Sequence, residues 1–81
     1  MERLEFEDML AIAKRMQKLT GDRKDYDRSE FWQGFQRGIR RLFYGKDFGT
    51  DEEHVKWMNC ADGEYGKELQ DGYRAGVNYH G

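Results

Sequence analysis

The chain has 81 residues, enough for one domain (1–81) with a modest core and too few for a deep substrate cleft. Its 14 Lys and Arg stand against 16 Asp and Glu, a net charge of −2, which is not the footprint of a dedicated nucleic-acid binder. One cysteine, Cys60, leaves no internal disulfide and favours a reducing compartment, the cytoplasm.

The charged N-terminus, MERLEFEDML, lacks the apolar h-region of a signal peptide. Residues 3–19 follow as a helix. Phe6, Met9, Leu10, Ile12, Ala13, Met16 and Leu19 recur at the 3.6-residue period and fall within about half the wheel. Acids Glu5, Glu7 and Asp8 open the helix and Lys14, Arg15 and Lys18 close it, an order that suits the helix dipole. Thr20-Gly21 is the expected stop, with glycine as C-cap, and DRKDYDRSE is expected as a polar loop.

Asp27 is the expected N-cap of the second helix, with Glu30 three residues on. Phe31, Phe35, Gly38 and Leu42 form its apolar stripe, flanked by Trp32, Ile39 and Phe43. Gln33, Gln36, Arg37, Arg40 and Arg41 lie opposite, and Gly45 ends it. Thr50-Asp51-Glu52-Glu53 is a capping box for a short third helix through about Cys60. A fourth helix is expected from near Asp62 or Glu64 to about Asn78, with Tyr65, Leu69, Gly72, Gly76 and Tyr79 on one stripe and Tyr73 and Val77 beside it. No segment alternates with period 2, and Val and Ile are scarce, so the expected fold is an all-α bundle of about four helices.

Two stretches repeat at an offset of 38 residues. Phe31 aligns with Leu69, Gly34 with Gly72, Phe35 with Tyr73, Gly38 with Gly76, and Ile39 with Val77. An interior helix glycine costs roughly 1 kcal/mol against alanine, so four of them need a structural reason. At i and i+4 they share a face and open space for a close backbone or a large ring. The expectation is that the second and fourth helices pack through these glycines, with aromatics of one received by the gaps of the other.

Gly-aromatic-x-x-Gly, carried twice by QGFQRGI (Gln33 to Ile39) and DGYRAGV (Asp71 to Val77), resembles the ribosome modulation factor family. That resemblance implies an RNA- or ribosome-associated factor. In being short, single-domain and acidic, the chain is also similar in style to small phage-encoded inhibitors such as anti-CRISPR proteins.

Candidate chemistry is sparse. Asp47-Phe48-Gly49 spells the kinase metal-binding tripeptide, but no glycine-rich loop with a following lysine accompanies it. Phe48 is expected to tuck into the core. His54, Cys60 and His80 are too scattered for a structural zinc site, which wants four ligands at compact spacing. The lone serine, Ser29, stands at a helix start, where capping accounts for it. The reading is therefore no enzyme, no metal and no cofactor. Charge is unevenly spread: Arg37, Arg40, Arg41 and Lys46 lie in a stretch without an acid, and Asp51, Glu52, Glu53, Asp62, Glu64, Glu68 and Asp71 follow against two lysines. The first choice for partner binding is the basic face, Arg37, Arg40, Arg41 and Lys46 with Tyr44, on phosphate or an acidic protein surface, with Tyr44 and Trp32 as stacking or anchor groups. The second is the acidic segment, as a mimic of a nucleic-acid backbone. The leading functional expectation is a phage or mobile-element protein that inhibits a host nucleic-acid-handling complex. The alternative is the RNA- or ribosome-associated factor.

Overall fold

A chain with helical periodicity and few β-branched residues buries its apolar surface by packing helix on helix. The computed structural model does so with α1 (Arg3–Asp22), α2 (Tyr26–Tyr44), a 3-10 turn at Gly45–Asp47, α3 (Asp51–Asn59) and α4 (Lys67–Val77). The structure describes residues 1–59 and 66–80. The chain is an all-α bundle, with no strand among the described residues.

α2 is central. α1 packs along one side of it and α4 along the other. The core is small: Phe6 and Ala13 of α1, Phe35 and Ile39 of α2, and Tyr73 of α4 are the buried apolar residues. Phe6 stacks on Phe43 with ring centroids 4.3 Å apart, and Trp32 and Tyr79 meet Phe35 edge-on. Such pairs add about 0.5–1.5 kcal/mol each beyond the area they bury, which helps so small a core.

The α2–α4 contact is the tightest in the molecule. A Cβ added at Gly34 would stand 2.9 Å from the Tyr73 amide nitrogen and nearer still to the Leu69 carbonyl oxygen. One at Gly72 would stand 2.9 Å from the Phe35 nitrogen and nearer still to the Phe31 carbonyl oxygen. Gly38 faces the Tyr73 carbonyl, and Gly76 faces that of Phe35, at 2.5 Å from its own added Cβ. Each glycine therefore meets backbone. The expected aromatic filling of the gaps is corrected: carbonyl oxygens occupy them, in the arrangement of weak Cα–H···O contacts. Contacts advance in step along both helices, Gly34 with Leu69 and Tyr73, then Gly38 with Tyr73 and Gly76, so α2 and α4 run parallel. The contacts also exchange under the 38-residue offset. A pseudo-two-fold axis thus lies between the two helices and along them.

That axis places Phe35 and Tyr73, its equivalent, on opposite faces of the helix layer. Phe35 looks toward α1 and Tyr79. Tyr73 looks toward α3, where Trp57 and His54 cover it. Arg74 Nη2 donates to the Met58 carbonyl at 3.1 Å and ties α4 to α3 from beside it.

Element ends depart from expectation at several points. α1 continues through Gly21 to Asp22, because Thr20 is buried and its hydroxyl donates back to the Met16 carbonyl at 2.6 Å. The left-handed residue after it is Lys24, at φ 62°. The N-cap of α2 is Asp25, whose carboxylate accepts from the Arg28 amide, and Asp27 lies in the first turn. Ser29 does not cap: its hydroxyl donates to the Gln17 carbonyl of α1 at 3.2 Å. Gln36 is buried against α1, where its amide donates to Gln17 Oε1 at 2.6 Å, while Leu42 is exposed. Gly45 caps α2 at φ 61°, as expected of a glycine there. Thr50 accepts from the Glu53 amide at 3.0 Å, but the Glu53 side chain turns to Arg37 instead of returning to the cap. α4 starts at Lys67 after Gly66. The expected starts at Asp62 or Glu64, together with Cys60 and Tyr65, lie outside the described residues.

Candidate functional site on the charged face

Arg37, Arg40, Arg41 and Tyr44 project from α2 on the side away from Phe35, because they lie about half a helical turn from it. α3, which packs on α4, reaches this face through the side chains of its acidic first turn. The two sequence-predicted sites therefore meet. Arg41 Nη2 pairs with Asp51 at 2.6 Å, and its Nη1 donates to the Phe48 carbonyl at 3.2 Å. Arg37 pairs with Glu53. Its guanidinium also lies 5.7 Å from the Phe48 ring centroid and 5.9 Å from that of Trp57, within cation–π range. Lys46 approaches Asp51 at 3.9 Å with its side chain 84% exposed.

These contacts sort the predicted basic residues. Arg41 is a strut between α2 and α3, with a side chain only 11% exposed, so the expectation that it is reachable by a partner is corrected. Arg37 is half-buried under the α3 pair. Arg40, half-buried, makes no ion pair among the described residues, and Tyr44 and Lys46 are exposed. Arg40 and Lys46 are the members of the set left for a partner, together with the exposed edge of Tyr44, whose ring also packs edge-on against Phe6 and Phe43. Phe48 is half-buried beneath Arg37, so it serves the charged face and not the central core.

On the acidic side, Asp51 and Glu53 are engaged as described, and Glu52 is exposed. Asp71 pairs with Lys67 at 2.8 Å, one turn away on α4. Glu68 is half-buried in the first turn of α4. Asp62 and Glu64 lie outside the described residues. Among the described residues the acidic set is thus divided between α3 and α4 and offers no continuous stripe of free carboxylates.

Two titrations are shifted here. The hydrogen bond from Arg41 holds the Asp51 carboxyl below the ordinary aspartate value of 3.8; desolvation opposes this, and the Lys46 and Arg41 charges add to it. Burial pushes the Tyr73 phenol above 10.0, with the Arg41 and Arg37 charges opposing and Glu53 reinforcing. Tyr73 and His54 are a contact the sequence reading missed: the hydroxyl and Nδ1 share a hydrogen bond of 2.7 Å. In sequence His54 stands out only beside Cys60 and His80, as one of three groups too scattered for a zinc site. Among the described residues no group of three His, Cys, Asp or Glu side chains is placed to hold a metal ion.

Trp32 lies on the other side of α2, half-buried between Phe31 and Phe35, so it does not join Tyr44 as a stacking group on this face. Among the described residues no helix is long and apolar enough to cross a membrane. Compared with family models, with curated proteins and with solved structures, the chain finds no match.

Proposed function

We propose that the chain is a non-catalytic binding module that meets a protein or ribonucleoprotein surface through Arg40, Tyr44 and Lys46. The observation that supports this reading is the division of labour among the cations. Arg37 and Arg41 are spent on α3, while beside them an arginine without an ion pair among the described residues, an exposed ring and an exposed lysine are held on rigid backbone. Preset cations next to an aromatic suit an acidic or phosphate-bearing surface. At finer grain, the module acts in the cytoplasm as a phage or mobile-element inhibitor of a host nucleic-acid-handling complex, in the style of anti-CRISPR proteins. It blocks that complex sterically and needs no cofactor.

The second reading, an RNA- or ribosome-associated factor, draws on the same cations and on the glycine-aromatic pattern that forms the α2–α4 pair. Affinity capture from host lysate, with and without nuclease, distinguishes the two. Capture of a defined complex that survives nuclease and is lost in Arg40→Glu/Lys46→Glu supports the inhibitor reading. Direct RNA binding that weakens steeply as salt rises supports the second, because counterion release dominates such binding. A folded double variant that captures its partner at parental strength moves the contact to the acidic residues, with Glu52 and Glu68 the next to reverse.

A further inference from the structure

α3 lies over the Tyr73 side of the helix layer. On the other side, no further element packs over Leu42 and the outer edge of α1 among the described residues. That open side exposes apolar residues, Ile12 at 45%, Leu19 at 40% and Leu42 at 37%. Along α1 they belong to a regular row. Met9, Ile12, Met16 and Leu19 recur at alternating spacings of three and four, the seam of a coiled coil. The row lies beside the Phe6, Ala13 and Thr20 face that α1 buries elsewhere.

The ends of this row carry opposite charges. One step N-terminal is Glu5, half-buried beside Met1, Leu42, Phe43, Tyr79 and His80 around a shallow cavity of about 370 Å³. One step C-terminal is Arg23, exposed. Neither makes an ion pair among the described residues, whereas Arg3–Glu7 and Lys18–Asp22, away from the row, are closed within the helix.

We propose that the chain forms a two-fold symmetric homodimer through this row, the α1 helices antiparallel. An axis crossing α1 at the level of Lys14 sets Ile12 against Met16, Met9 against Leu19, and Glu5 against Arg23 of the second copy. Every layer of the seam is then matched, and both orphan charges are paired, twice over. A parallel pairing would set Glu5 on Glu5 and Arg23 on Arg23. The second copy also covers the exposed side chains of Ile12 and Leu19. The arrangement makes one like-charge meeting, Arg15 with its own copy beside the axis.

Sedimentation equilibrium on the full chain, from low micromolar to several hundred micromolar, tests this. The parent is expected to associate to a dimer, and Ile12→Glu to remain monomeric with unchanged helical circular dichroism. Glu5→Arg and Arg23→Glu singly should weaken association about tenfold, since each change turns two ion pairs of the dimer into like-charge contacts. The Glu5→Arg/Arg23→Glu double variant should recover it, and Arg15→Gln should tighten it. A parent monomeric throughout the range overturns the proposal. So does a dimer indifferent to Ile12→Glu, and so does a dimer that the double charge swap fails to restore.

Discussion

The carbonyl oxygen of Phe31 lies against Gly72, in the space a side chain would need, and the carbonyl of Leu69 lies against Gly34 in the same way. Neither helix can acquire even a methyl group there without moving the other's backbone. Gly34→Ala and Gly72→Ala should each cost at least about 3 kcal/mol, the upper end of overpacking, a large share of the roughly 5–15 kcal/mol that holds a domain of ordinary stability. Gly21→Ala is the control. Its Cβ would meet only Ser29 Oγ at 3.5 Å, and removing a helix glycine should raise stability by up to about 1 kcal/mol. Urea melts of the three variants check the contrast.

Tyr73 and His54 tie α3 to the helix pair. Tyr73→Phe removes their hydrogen bond and should cost about 1 kcal/mol, with faster amide exchange across α3 and little change in α1. The phenol's pKa is raised in the folded state. Unfolded chains therefore ionise first, and the parent holds this contribution in full below pH 10.0 and loses it as pH rises through the folded value. Thermal melts above pH 10.0 should show a smaller alkaline loss in Tyr73→Phe than in the parent.

Arg40 and Arg41 are neighbours in sequence with different duties. Arg41→Ala should lower Tm clearly, because it releases Asp51 and the Phe48 carbonyl together. Arg40→Ala should leave stability within about 0.5 kcal/mol, as surface changes do. Asp51 adds a pH signature. Its pKa is lowered in the folded state, so its contribution is complete above pH 3.8 and fades as pH falls through the folded value. Asp51→Asn should flatten the acid side of a stability-against-pH curve.

Lys24 holds a left-handed conformation at φ 62° between α1 and α2. Such a conformation costs an L-residue about 1–2 kcal/mol, partly offset in a glycine replacement by greater unfolded-chain entropy. Lys24→Gly should therefore stabilise by about 0.5–1 kcal/mol, read as a rise in Tm of a few degrees.

The helices and the glycine-packed pair were legible because periodicity and interior glycine are direct steric signals. The parallel direction of α2 and α4 was not, since glycine spacing is the same in either sense. The loop between α1 and α2 was misplaced because Asp25 and Asp27 are equally good caps by type, and only the buried Thr20 decides how far α1 runs. Charge runs were legible as composition, but their meaning was not. The stretches Arg37 to Lys46 and Asp51 to Glu53 read as separate surfaces in sequence, and the pairs Arg37–Glu53 and Arg41–Asp51 join them in the fold. The Tyr73–His54 contact had no local signal, because its partners are 19 residues apart and belong to different helices.

A junction made from main chain constrains unusually few letters of the sequence. Four glycines keep α2 and α4 in register by letting main chain meet main chain. An exposed charge such as Lys46 can then change with little effect on that junction. Substitutions that spare the four glycines therefore leave the main-chain contact between the two helices as it is.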